Sequence, residues 1–129
     1  MELDLNGERP IFQQIADWLA DGILSGAFPE ESQIPSITEF SVQYKINPAT
    51  ALKGINLLVE EGVIYKKRGV GMFVQTGAVE KLRAKRKEGF YDNFIASMIA
   101  EAKRLGLTRQ ELRDLIDRGF AQEEKEEIV

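Results

Sequence analysis

Asn47-Pro48 fixes the start of a helix only a few residues after another helix has to end. Asparagine is a strong N-cap residue, because its side-chain oxygen accepts from an orphan amide of the first turn. Proline suits the first helical position, where no amide is needed. Upstream, Ser36 and Glu39 have the spacing of a capping box, and Pro35 disfavours any helix running in from before it. The helix opened by Ser36 carries Ile37, Phe40 and Tyr44 on one side and must close in the short turn around Lys45-Ile46. Ala51, Ile55, Leu58 and Val59 give the helix from Asn47 an apolar face, and Gly62 closes it. Two helices joined by so short a turn, the second beginning at a strong cap, form a helix-turn-helix.

The flanks complete a larger pattern. Pro10 fits the first turn of a preceding helix, Ile11, Ile15, Trp18, Leu19 and Ile23 make its apolar stripe, and Gly26 with Pro29 ends it. Beyond Gly62, residues 63–66 and 71–74 are two short β-rich segments around Lys67-Arg68-Gly69-Val70, the signature of a hairpin. Helix, helix-turn-helix and basic hairpin, in that order, make a winged helix. From Ala78, the residues Val79, Leu82, Arg86, Phe90, Phe94, Met98, Ala102 and Leu105 recur three or four apart on a long helix that Gly106 breaks. Thr108 and Glu111 form a second capping box, opening a last helix through Leu112, Leu115, Ile116 and Phe120. The expected fold is mostly α with a small β-hairpin. It comprises a winged helix-turn-helix over residues 1–76, a two-helix segment over 77–121 and an acidic tail over 122–129 that frays.

Charge is distributed unevenly. The net charge of −4 opposes binding to nucleic acid, whose phosphates supply most of the affinity. Residues 1–43 carry one base against eight acids, residues 44–71 five bases against two acids, and residues 72–129 eleven of each. The positive excess thus falls on the second helix of the pair and on the hairpin. That second helix enters the major groove in helix-turn-helix proteins. Asn47, Ala49, Thr50 and Lys53, at its N-terminal end, are the candidate base contacts; Lys53 can donate to a guanine edge, and Thr50 can offer a hydroxyl or a methyl. Ser36 and Thr38 begin the helix before it, whose amides can hold a phosphate. Lys66, Lys67 and Arg68 lead into the hairpin turn, where Gly69 and Gly71 allow close approach of backbone to duplex.

Several runs carry a family resemblance. They are Pro10-Ile11-Phe12-Gln13-Gln14-Ile15, Gly26 with Ile34-Pro35-Ser36, Asn47-Pro48-Ala49-Thr50, Leu58-Val59-Glu60-Glu61-Gly62-Val63-Ile64, and Gly69-Val70-Gly71-Met72-Phe73-Val74. In this order and spacing the chain resembles the GntR superfamily of bacterial regulators. The Asn-Pro-x-Thr start and the short C-terminal part are similar to its YtrA subfamily. The resemblance implies a winged-helix repressor, often of a transporter operon, whose two C-terminal helices build a dimer without a large effector domain. Thr38, Leu52 and Val70 depart from the basic or polar residues common at those places.

The C-terminal stripe also argues for pairing on its own terms. A two-helix hairpin cannot bury Phe90, Phe94, Met98, Ile99, Leu105, Leu112, Leu115 and Ile116 by itself, and a second copy supplies the missing wall. The expected partners are therefore a near-palindromic operator in double-stranded DNA and a second copy of this chain. A rival reading keeps the winged helix and turns it to protein interaction, motivated by the charge and by Thr38, Leu52 and Val70. Enzymatic chemistry finds no support: cysteine and histidine are absent, and Glu30-Glu31 and Glu60-Glu61 read as solvated turns and helix ends. No cofactor, catalytic residue or metal site is expected, and no residue cluster argues for a small-molecule effector. No apolar run approaches the roughly 20 residues that span a bilayer. The acidic N-terminus lacks the order of a signal peptide, so a cytoplasmic location is expected.

Overall fold

The computed structural model describes residues 1–128, with side chains through residue 126. Helices α1 (Ile11–Ser25), α2 (Ile37–Tyr44) and α3 (Pro48–Glu60) are followed by strands β1 (Ile64–Lys67) and β2 (Gly71–Val74). Then come α4 (Ala78–Phe90), a π-helical turn (Tyr91–Ile95), α5 (Ala96–Arg104) and α6 (Arg109–Ile128). The chain divides into two compact units, Met1–Arg86 and the remainder from Lys87.

The first unit is built on the crossing of α1 and α3. α1 buries Ile15, Ala16, Leu19, Ala20 and Ile23 against Ala51, Gly54, Ile55 and Leu58 of α3. The crossing is tight because Gly54 has no side chain; a Cβ there would lie 2.7 Å from the Phe12 carbonyl oxygen. Trp18 ties α2 to α1, its ring lying edge-on to Phe40 at 5.5 Å and Tyr44 at 5.8 Å. Pro10 takes the N-cap place rather than the first helical one, with extended ψ of 148°. The cap of α2 is half of the expected capping box: Ser36 Oγ accepts from the Glu39 amide at 3.0 Å. α3 ends as expected, with Gly62 in the left-handed region (φ 74°) and the Val63 amide donating back to the Leu58 carbonyl at 2.9 Å.

β1 and β2 pair antiparallel, Ile64 opposite Val74 and Lys67 opposite Gly71. Residues 30–35 add a third, short edge to this hairpin. The Glu31 amide donates to the Val74 carbonyl (2.8 Å), Val74 to Ser32 (3.0 Å) and Ile34 to Met72 (3.0 Å). Ala78 and Leu82 of α4 are buried with the same core. Three cations of α4 then bind back: Lys81 donates to the Gly62 carbonyl at 3.3 Å, Lys85 pairs with Glu61, and Arg86 reaches Asp21 of α1 at 2.6 Å.

In the second unit the expected single stripe is interrupted. Residues 78–104 stay helical, but the π turn at Tyr91–Ile95 changes the rotation between Phe90 and Met98. Gly106 ends α5, with the Leu107 amide donating to the Ala102 carbonyl at 2.9 Å. Both halves of the Thr108–Glu111 capping box form, each at 3.1 Å. Where fraying from Gln122 is expected, α6 continues to Ile128; glutamate, glutamine and lysine are good helix formers, so the stretch propagates the helix already nucleated at Thr108.

Candidate nucleic-acid interface

The exposed N-terminal half of α3 and the basic hairpin both lie in the first unit. Asn47 accepts the Ala49 amide on its side-chain oxygen at 2.8 Å, so that oxygen is committed to the cap while the residue stays exposed. Ala49 and Lys53 are exposed and Thr50 half-buried, one turn apart along the start of the helix. Leu52 is 38% exposed on the same helix, an apolar contact in the middle of a polar surface. Lys53 does not extend freely: its Nζ sits 4.0 Å from the centroid of the Phe12 ring of α1. Ser36 and Thr38 are exposed at the start of α2, with the Ser36 hydroxyl already accepting from Glu39.

Strand alternation separates the basic residues of the hairpin. Successive side chains point to opposite faces, so Lys66 shares a face with Ile64, and Lys67 shares the other with Tyr65. Lys67 Nζ lies 4.9 Å from the Phe73 ring, and that ring stacks on Tyr65 at 5.9 Å. Arg68 and Gly69 occupy the turn, where the Val70 amide donates to the Lys67 carbonyl at 2.9 Å and Gly69 takes φ 78°. Gly69 faces open space, whereas at Gly71 (φ 145°) a Cβ would lie 2.4 Å from Gln33 Nε2. Gln33 uses that room to donate to the Val70 carbonyl at 3.0 Å, fixing the wing tip from below.

Two carboxylates set the hairpin's position, and residue-by-residue reading missed both. Glu31, in the left-handed region at φ 68°, accepts from the Tyr65 hydroxyl at 2.7 Å and from the Thr76 hydroxyl at 2.6 Å and amide at 3.2 Å. Glu30 accepts from the amides of Gly77 (3.0 Å) and Val79 (3.1 Å), capping α4 from a distance in sequence. The Gly77 and Val79 amides hold the Glu30 carboxyl below the ordinary carboxylate value. The Thr76 and Tyr65 hydroxyls do the same for Glu31, and Glu31 in turn raises the Tyr65 phenol. The only sequence signal was the acidic pair itself, and its partners lie more than thirty residues away.

Among the described residues of the second unit Ala102 is the buried hydrophobic one, while Phe90, Phe94 and Leu105 are more than half exposed and Leu115 and Ile116 are each 40% exposed. Met98, Ile99 and Leu112 are half-buried. Among the described residues there is no cluster of acidic side chains able to hold a metal ion, and no helix long and apolar enough to cross a membrane.

Residues 11–74 match the family model described as bacterial regulatory proteins, gntR family. A crystal structure of a GntR-family transcriptional regulator from Bacteroides thetaiotaomicron superposes with a TM-score of 0.71 at 34% identity, covering 88% of this chain and 98% of that one. The HTH-type transcriptional regulator YhcF of Bacillus subtilis is 28% identical over 114 residues, 87% of this chain and 91% of YhcF. The HTH-type transcriptional repressor YtrA of the same organism is 25% identical over 116 residues, 90% of this chain and 88% of YtrA.

Proposed function

Because the chain belongs to the GntR family of bacterial regulatory proteins, YtrA subfamily, we propose that it is a homodimeric repressor of transcription that reads a near-palindromic operator. The observation carrying this reading is the exposed N-terminal half of α3 on the same compact unit as a basic, firmly held wing. Asn47, Ala49, Thr50 and Lys53 reach base edges in the major groove, and Leu52 suits a thymine methyl. Lys66, Lys67 and Arg68, with Gly69 and Gly71 in the turn, contact the sugar-phosphate backbone from the wing, and Ser36 and Thr38 hold a phosphate at α2. Two copies join through the helices after residue 76, by Phe90, Phe94, Met98, Ile99, Leu105, Leu112, Leu115 and Ile116. Pairing doubles an electrostatic footprint that is weak in one copy and sets two recognition helices on two half-sites.

The test is fluorescence anisotropy with a duplex from the gene's own upstream region, titrated at several salt concentrations. The expected result is sequence-selective binding that weakens as salt rises. Lys66→Ala lowers the salt slope by about 1 on every sequence, whereas Lys53→Ala relaxes preference at one base pair and costs about 1–3 kcal/mol. Equal binding to a shuffled duplex, or none that responds to salt, overturns this reading in favour of a winged helix used for protein contacts.

A further inference from the structure

We propose that Phe12 is a positioning residue for the recognition helix, holding Lys53 so that its ammonium reads a base edge instead of sampling the phosphate backbone. The inference rests on α3 being the DNA-reading helix. Its geometric basis is independent of that premise: Lys53 Nζ lies 4.0 Å from the centroid of the Phe12 ring. A cation over an aromatic face is attracted by the ring quadrupole.

The backbone brings the two residues together. Gly54 directly follows Lys53, is buried, and lets α3 approach so closely that a Cβ would strike the Phe12 carbonyl. α3 thus passes close to Phe12 and Ile15 at Gly54, and the side chain preceding Gly54 lies over the Phe12 ring. Lysine is a point charge on a flexible four-carbon stem. Left free, such a side chain finds any phosphate; tethered by its ring-facing side, it keeps N–H donors outward for a guanine O6 or N7. Phe12 is half-buried, and its ring carries the Lys53 ammonium at 4.0 Å.

The experiment first enriches duplexes from a random library with the wild-type protein. Binding to an enriched duplex and to its shuffled counterpart is then measured for wild type, Phe12→Leu, Phe12→Tyr, Lys53→Met and the double variant Phe12→Leu/Lys53→Met. Phe12→Leu is expected to weaken the enriched duplex about three- to fivefold and leave the shuffled one unchanged. Phe12→Tyr restores binding, and Phe12→Leu has no further effect once Lys53 is Met. In the free protein, NMR places the Lys53 ε-methylene protons upfield in wild type and at ordinary shifts in Phe12→Leu. Circular dichroism shows that the variants fold. An equal loss on both duplexes, or a loss that persists with Lys53→Met, overturns the proposal and leaves Phe12 a packing residue. If wild type enriches no duplex, the DNA reading fails and the proposal with it, and the proton shifts then report only the contact.

Discussion

The two units treat apolar surface in opposite ways. The first closes a core of α1, α2, α3, the hairpin and the start of α4, with Ile15, Leu19, Ala51, Ile55, Val74 and Ala78 fully buried. The second spends two helices and a π turn and leaves Phe90 (52%), Phe94 (62%) and Phe120 (65%) open. Large aromatics buried on folding dominate a domain's stability, and left in water they contribute nothing. One unit carries its own stability; the other has a surface that a second copy would complete. The largest expected effect breaks this contrast directly. Phe40→Ala removes a side chain 1% exposed and costs about 3–5 kcal/mol in urea denaturation. Phe94→Ser, judged by exposure alone, stays within about 0.5 kcal/mol. On the proposed pairing it instead converts dimer to monomer in sedimentation and removes the concentration dependence of Tm. A Phe94→Ser variant that stays dimeric removes the α4–α5 face from the interface.

Next in size is the helix crossing. Gly54→Ala ordinarily helps a helix by about 1 kcal/mol. Here the new methyl meets the Phe12 carbonyl and Ile15, and overpacking costs about 1–3 kcal/mol. A net destabilisation of up to about 2 kcal/mol is expected in thermal melts, and a stabilised variant would show that α1 and α3 can move apart. At an exposed glycine of the second unit, Gly119, nothing lies within 4 Å, and the same change stabilises α6 by about 1 kcal/mol.

What could be read in advance follows the range of the interactions involved. Caps and apolar periods are local, so the ends of α2, α3 and α5, the hairpin and the Thr108 capping box were all legible from a few adjacent residues. Gly54 was silent, because a glycine inside a helix announces neither its neighbour nor the distance. Glu30 and Glu31 read as a solvated turn and Gln33 carried no signal; their partners Val70, Tyr65, Thr76, Gly77 and Val79 come from the hairpin, the residues after it and the start of α4. The π turn was hidden for a different reason. A stripe of residues three and four apart tolerates one inserted residue without losing its period, so the pattern stays the same while the backbone rotates. At the candidate interface, residue types singled out the start of α3, but only the strand alternation shows Lys66 and Lys67 on opposite faces.

A smaller effect probes a cap in the second unit. Thr108→Ala removes the hydroxyl that accepts the Glu111 amide, and costs about 1 kcal/mol, read as lost helicity by circular dichroism. Ser36→Ala does the same to α2, but there the helix is already held by Phe40 in the core, so stability falls with little change of helicity.

The smallest expected effect is a shape in the pH profile of the first unit. Glu30 and Glu31 are held below the ordinary carboxylate value in the fold, so their contribution is complete at pH values above that range. It is lost as pH falls through their lowered values, because protonation removes the charge that strengthens their acceptance from Gly77, Val79, Thr76 and Tyr65. Tyr65 runs the other way: its raised phenol keeps its contribution below the ordinary tyrosine value and loses it as pH climbs past the raised one. Stability of the first unit should therefore plateau between an acid and an alkaline shoulder. Both carboxylates are exposed, so water and salt screen the contribution and keep the shoulders shallow. Glu30→Gln and Glu31→Gln each flatten the acid side, and Tyr65→Phe removes the alkaline shoulder and reduces the Glu31 part of the acid one. Because Thr76 and Lys67 stay in place, Tyr65→Phe should leave the acid shoulder of Glu31 visible. If it erases both shoulders, the wing is held by the tyrosine alone, and the carboxylate pair only follows it.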